Sequence, residues 1–313
     1  MDFKAIYAVV EDDFAAVNQF INHHLDSNVP LIREVGDYIV QSGGKRLRPL
    51  VSILCARASG YHGERHVDVA AIIEFLHTAT LLHDDVVDES NLRRGRPTVN
   101  AVWGNAASVL VGDFLISRAL QLMVALKHPR LLDIFSQSTN TISEGEVLQL
   151  INVRDPNTSE DNYMRVIHHK TAKMFESAAE TGAVLGADEV SDHVDAFATY
   201  GRHLGIAFQL IDDVLDYDGD TEALGKNIGD DLAEGKPNLP LLYAMKHGSP
   251  AQAALISQCI SDETVTAETF TEVIGIVRDS GALDYTRRLA AVQAQLALQS
   301  LSALSASEYR DSL

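Results

Sequence analysis

The sequence predicts an all-α protein built as one domain. Three observations carry that prediction. Apolar residues recur at helical spacing in long runs separated by short polar breaks. No linker, low-complexity tract or shift in composition divides the chain. Its 313 residues are ample for a large core, although length alone would also permit two domains.

Taken in order, Lys4 to Leu25 has helical periodicity, and Asn28 and Pro30 break it before a second helix that runs through Val40. Ser42 to Pro49 follows, reading SGGKRLRP. Its paired glycines permit a tight backbone path, and Pro49 suits the first turn of the next helix. Lys45 and Arg48 of this stretch are candidates to clamp a diphosphate.

Val67 to Asp88 is expected to be a long helix, ending in HDDVVD and followed closely by Arg93, Arg94 and Arg96. Asp84 and Asp88 lie one helical turn apart, so their carboxylates project from the same face. Like charges held that close call for a cation between them. A small number of hard oxygen ligands suits Mg²⁺, which keeps several waters and often shares its shell with phosphate oxygens. Arginines just downstream point to the same partner, because a planar guanidinium makes bidentate phosphate contacts. Glu74 and His77 also form one Glu-x-x-His, but a di-iron site needs the motif from a second helix, and the sequence has no other.

Asn105 to Leu126 reads as an apolar helix capped by Asn105, and Pro129 opens the next one, through Leu150. Thr158 with Asp161 resembles a capping box and starts a long helix through Val184, which carries His168, His169, Lys170 and Thr171. Adjacent histidines point about 100° apart on a helix and do not share a metal. Ser191 to Tyr217 holds Phe208, Gln209 and a second acidic motif, Asp212, Asp213 and Asp216, after another apolar run. Asp216, Asp218 and Asp220 do not make a calcium loop, since Thr221 and Asn227 stand where that loop needs glycine and glutamate. Gly225-Lys226 and Gly235-Lys236-Pro237 supply basic loops that could close over phosphates. From Asn238 onward, helical patterns alternate with short polar breaks, and Glu308 to Leu313 begins a last helix.

A net charge of −19 argues against nucleic acid as a partner, because that binding displaces counterions with a basic surface. The same acidity would be repelled by an anionic membrane. Against that background the clustering of basic residues around the first acidic motif is informative. No apolar run near 18 residues suggests a membrane span, and MDFKAIYAVVEDDF has no signal-peptide pattern. Two distant cysteines, Cys55 and Cys259, fit a reduced, cytoplasmic setting.

The two aspartate-rich motifs, GGKRLRP and LRRGRPT, in this kind and order, resemble the trans-polyprenyl diphosphate synthases. The phrases HTATLLHDDVVDES, NAASVLVGDF, EGEVLQL, DNYMRVIHHKTA and LGKNIGDDLAEGKPNLPLL are similar to the bacterial octaprenyl-forming branch. The resemblance runs from about residue 30 to the end and implies a helical isoprenoid-synthase bundle around a central apolar cavity, acting as a homodimer. It implies Mg²⁺-dependent, sequential addition of isopentenyl diphosphate to an allylic primer such as farnesyl diphosphate, supplying a quinone side chain. By this resemblance Asp84, Asp88 and Asp212 hold the metals, three per active site, and Asp85, Asp213 and Asp216 orient them. Arg93, Lys170 and Lys226 meet the allylic diphosphate, and Lys236 is a further substrate-binding residue. Lys45, Arg48, His77 and Arg94 hold isopentenyl diphosphate, while Thr171 and Gln209 line the developing cation. The released diphosphate is the expected proton acceptor, since no side-chain base is evident.

Chain length is expected to follow the depth of a tunnel beside the helix that ends at Asp84. One helical turn rises about 5.4 Å, near the span of one extended isoprene unit. Ala79 and Thr80, both small, stand at the first turn and let growth continue, where an aromatic would stop it. Asp68 to Asp84 spans roughly 24 Å, too short for an octaprenyl tail, so the tail bends or meets another helix. Met123 and Phe135 are candidates for the floor. A terpene cyclase is disfavoured by the second DDxxD and the second basic clamp, and a non-catalytic subunit by the completeness of both.

Overall fold

The computed structural model describes residues 3–93, 95–186, 192–219, 228–262 and 264–313. These residues are overwhelmingly helical, and strand is confined to one two-residue hairpin. The chain divides into two compact units. The first comprises 1–138, 174–201 and 300–313, the second 139–173 and 202–299.

The first unit is organised around α5 (Arg65–Val87). Val69 to Ile73, Phe75, Leu76, Ala79 and Leu82 are all buried, so this helix is apolar on every side and must be surrounded. Its neighbours include α2 (Glu11–Leu25), α4 (Leu47–Ala58), α6 (Val99–Trp103) and α7 (Asn105–Ala125). The predicted first helix is in fact two, α1 (Phe3–Val9) and α2, separated at Val10. α3 (Pro30–Gln41) starts on Pro30 itself, the residue read as a break between the two helices. After α5 the chain makes the hairpin, β1 (Leu92–Arg93) against β2 (Arg96–Pro97), turning at Gly95 with φ +73°. Thr98 Oγ1 donates to Ser90 O at 2.7 Å and Asn100 Nδ2 to Asp85 O at 3.1 Å, fixing the hairpin to the end of α5.

Two expectations for α7 need correction. Asn105 is the first helical residue rather than the cap, a position taken by Gly104 without a side-chain hydrogen bond. By length and composition α7 is also apolar enough to cross a membrane, where no such run was expected. One face of it, including Val111, Leu115, Ala119 and Met123, is buried, and α7 packs along α5.

α8 (Pro129–Asn152) begins at its predicted proline. The long helix expected from Thr158 to Val184 starts one residue later, because Ser159 is the cap and accepts from Asn162 N at 3.2 Å. It is also interrupted: α9 (Glu160–Ile167) passes through a π-helical turn at His168–Ala172 into α10 (Lys173–Gly186). α11 (Asp192–Asp218) carries the second acidic motif.

The second unit continues through α12 (Asp230–Ala233), α13 (Leu239–His247), α14 (Pro250–Ser261), α15 (Ala267–Asp279) and α16 (Ala282–Ser300). One core joins Tyr217 of α11 to Leu241, Ile256, Ile260, Val273 and Val277, and Arg278 closes it by donating twice to Tyr217 O, at 2.6 and 2.8 Å. A second core gathers Tyr163, Ile167, Ala172, Ile206, Leu210 and Leu239. The chain then returns to the first unit, where α17 (Glu308–Asp311) packs on α4.

Candidate active site

In the first unit the last turns of α5 carry Asp84, Asp85 and Asp88, the last as C-cap. Asp84 and Asp88 are half-buried, whereas Asp85 is 3 % exposed. Arg93 reaches back from the hairpin and donates to Asp85 Oδ1 from Nε at 2.9 Å and from a terminal nitrogen at 2.7 Å. Burial pushes the Asp85 carboxyl above its ordinary range, and Arg93 pulls it part of the way back. The middle aspartate therefore anchors an arginine, while Asp84 and Asp88, one turn apart, are only partly buried. Arg94 lies outside the described residues.

The basic loop before α4 has the unusual backbone its glycines allow: φ is +66° at Gly43 and +148° at Gly44, and Arg46 is left-handed at +42°. Lys45 is exposed, and its carbonyl accepts from Tyr7 Oη. Arg46 turns inward to Asn18 and Glu74. Arg48 lies over the Phe175 ring, 4.5 Å from its centre, and its terminal nitrogen is 3.1 Å from His77 Nε2. Arginine has no acceptor, so His77 Nε2 accepts and its proton sits on Nδ1. The structure thus brings together two residues predicted to share one ligand, 29 positions apart.

Beside them is a pocket of about 890 Å³, part of it open to solvent. His77, Arg46 and Arg93 contribute charge-bearing or polar groups to its lining, while Ile21, Leu25 and Ile39 contribute apolar surface. Ala79 is fully buried and Thr80 half-buried, its hydroxyl donating to His77 O at 2.8 Å. Met123 and Phe135 are buried core residues. None of these four lines the pocket.

In the second unit the π turn places Lys170 and Thr171 at the head of a hydrogen-bond network. Lys170 Nζ donates to Glu146 Oε2 and Gln149 Oε1 of α8, both at 2.6 Å. Thr171 Oγ1 donates to Gln209 Oε1 at 2.9 Å, and Gln209 Nε2 donates to Asp213 Oδ1 at 2.9 Å. Tyr163 Oη, itself buried, donates to the other Asp213 oxygen at 2.5 Å. Burial, then the nearby charge of Asp231, pushes the Asp213 carboxyl up to about 8, against the pull of these two hydrogen bonds. As in the first motif, the middle aspartate faces inward as an anchor, while Asp212 and Asp216 are half-buried. Asp216 Oδ1 accepts from Asp230 N at 3.1 Å. Lys236 pairs with Glu234 at 2.7 Å. Lys226 lies outside the described residues.

Tyr163, Glu146 and Gln149 were not singled out from the sequence. Glu146 and Gln149 lie three residues apart on one face of a helix, a spacing that hints at a shared partner but does not name Lys170.

The residues fit a hard divalent cation that arrives with its ligand. Among the described residues no group of three or more His, Cys, Asp or Glu side chains converges on a metal-sized centre. Asp84 and Asp88 are partly buried carboxylates on successive turns at the end of a helix, which suits Mg²⁺ sharing its shell with water and phosphate.

An all-α fold with an aspartate cluster closing one long helix, repeated on another, is that of the helical isoprenoid synthases. The chain belongs to the polyprenyl synthetase family, whose model matches residues 29–277. It is 52 % identical over 314 residues to the octaprenyl diphosphate synthase of Haemophilus influenzae, covering 100 % of this chain and 94 % of that one. It is 51 % identical over 316 residues to an all-trans-nonaprenyl-diphosphate synthase (geranyl-diphosphate specific) of Rhodobacter capsulatus, covering 100 % and 96 %. A crystal structure of polyprenyl synthase from Caulobacter crescentus, complexed with calcium and isoprenyl diphosphate, superposes with a TM-score of 0.95 at 43 % identity, covering 99 % of this chain and 94 % of that one.

Proposed function

We propose that the chain is a long-chain all-trans polyprenyl diphosphate synthase, adding isopentenyl diphosphate repeatedly to an allylic diphosphate, with farnesyl diphosphate as primer and octaprenyl diphosphate as product. The observation that carries this reading is the full-length similarity to octaprenyl and nonaprenyl synthases, in a chain that keeps both acidic motifs. The whole chain acts as one catalytic domain, in the cytoplasm, and supplies a quinone side chain.

Asp84, Asp88 and Asp212 are the proposed Mg²⁺ ligands, with three ions per active site. When bound, Mg²⁺ neutralises the charge that builds on diphosphate as the carbon–oxygen bond breaks. Arg93, held in place by Asp85, and Lys170 and Lys226 add positive charge to the same group, and Lys236 is a further substrate-binding residue. Lys45, Arg48, His77 and Arg94 hold isopentenyl diphosphate, and the pocket that His77 lines gives its hydrocarbon an apolar wall. The hydroxyl proton of Thr171 is committed to Gln209, so the lone pairs of its oxygen are what it offers to a carbocation. Gln209 is oriented by Asp213 in turn. Released diphosphate takes the proton, and exclusion of water protects the cation. Ala79 and Thr80 leave the growing chain room, with Met123 and Phe135 as its floor.

The test is to incubate the purified chain with Mg²⁺, farnesyl diphosphate and labelled isopentenyl diphosphate, then resolve the dephosphorylated products by reversed-phase chromatography. A dominant octaprenyl product is expected, and Thr80→Phe should shift it to shorter chains. Shorter products from the unaltered chain would sink the account of the floor. No incorporation with sound substrates would sink the enzymatic reading itself.

A further inference from the structure

We propose that Gly145 of α8 is a positioning residue, which sets the π turn where Lys170 and Thr171 can act. The proposal rests on the roles just given to those two residues. A π turn carries one residue more than the α-helical repeat, is rare, and needs something outside itself to hold it. Here the turn is pressed against α8 at Gly145. A Cβ on that glycine would lie 2.8 Å from Lys170 N, 2.8 Å from His169 Cβ and 2.9 Å from the His169 carbonyl carbon. Two of those atoms are backbone and the third is bonded directly to it, so none can swing aside by a side-chain rotation. The next residue of α8, Glu146, and Gln149 one turn on both grip Lys170 Nζ at 2.6 Å.

One stretch of α8 therefore fixes both the height of the turn and the direction of its ammonium group. Thr171 leaves the same turn to meet Gln209 at 2.9 Å. Any side chain at 145 pushes the turn away from α8, which stretches the Lys170 contacts and shifts the Thr171 hydroxyl together. A displacement of that order at a reacting centre costs about ten- to a hundredfold in rate.

The experiment compares Gly145→Ala, Gly275→Ala and Lys170→Ala in the full chain by steady-state kinetics, varying each diphosphate separately, with circular dichroism and thermal melts on every variant. At Gly275, in α15, a Cβ would meet nothing within 4 Å, so that variant should match the unaltered enzyme. Gly145→Ala should stay helical, lose about ten- to a hundredfold in kcat and raise the KM for the allylic substrate more than that for isopentenyl diphosphate. A folded Gly145→Ala with unaltered kcat and KM, beside a crippled Lys170→Ala, overturns the positioning role alone. An unimpaired Lys170→Ala overturns the reading of the site beneath it. Should Gly145→Ala fold poorly, Gly145→Ala with His169→Gly removes the Cβ–Cβ contact: recovered fold with low kcat supports the proposal, and recovered fold with full kcat overturns it.

Discussion

At the scale of single residues, the middle aspartates are where the chain departs from a simple reading of DDxxD. Asp85 is spent on Arg93 and Asp213 on Tyr163 and Gln209, so the second carboxylate of each motif is buried in the protein while the first and last are only partly buried. Helical geometry accounts for the division, because the second residue of such a motif points about 100° away from the first. Tyr163 is the residue on which the second anchor depends. Tyr163→Phe removes one hydrogen-bond partner from the buried Asp213 carboxyl and should cost roughly 1–3 kcal/mol of stability. It should also lower kcat, since Gln209 and Thr171 lose part of their alignment. Denaturant melts and initial rates check both, and a variant with normal stability and rate would show that the Asp213 network does not depend on its tyrosine. Nothing at position 163 announces this role in the sequence, since a tyrosine ahead of an apolar helix face is ordinary core material.

At the scale of elements, the clearest case is the tie between α2, α4 and α5. Arg57 of α4 donates to both Asp13 oxygens, at 2.5 and 2.8 Å, and His66 of α5 is 2.9 Å from the same carboxylate. Burial by itself would push the Asp13 carboxyl up, but the hydrogen bonds and charges of Arg57 and His66 outweigh it and hold the group below its ordinary value. A depressed folded-state value stabilises above the unfolded one, near 3.8, and that stabilisation is lost as pH falls through the folded one. Asp13→Asn should therefore destabilise the protein at pH 6 and lose its deficit progressively below about pH 4, measured by urea unfolding at several pH values. An equal deficit at all pH values would assign the effect to packing. Most elements were legible from apolar spacing and from prolines: Pro129 opens a helix as read, and Pro30 marks the boundary between the helices on either side of it. Caps and interruptions were not. Ser159, not Thr158, caps α9, and the π turn within the expected long helix leaves no mark on the apolar period.

At the scale of the whole molecule, the outer face of α7 is where the homodimer expected from the family resemblance can be tested. It leaves Val109, Leu110, Leu120 and Val124 exposed, Leu110 at 66 % and Val124 at 65 %, on the side away from the buried face. Apolar residues repeated along one helix are costly to leave in water, and a second copy of this chain is the partner we propose for them. Leu110→Glu with Val124→Glu should halve the mass measured by light scattering while leaving the helical circular dichroism intact. An unchanged mass would move the proposed interface elsewhere.

The helical class, the order of the main helices, both acidic motifs and the basic stretches beside them can be read from the amino acids alone. They are written locally, as apolar period, proline position and charge spacing within a few turns. Which aspartate of each motif turns inward, that Arg48 meets His77, and that α8 grips Lys170 at a π turn became visible only in the folded chain. Those facts depend on distances between residues far apart in the sequence, and a local pattern says nothing of what a side chain meets once another helix is packed against it.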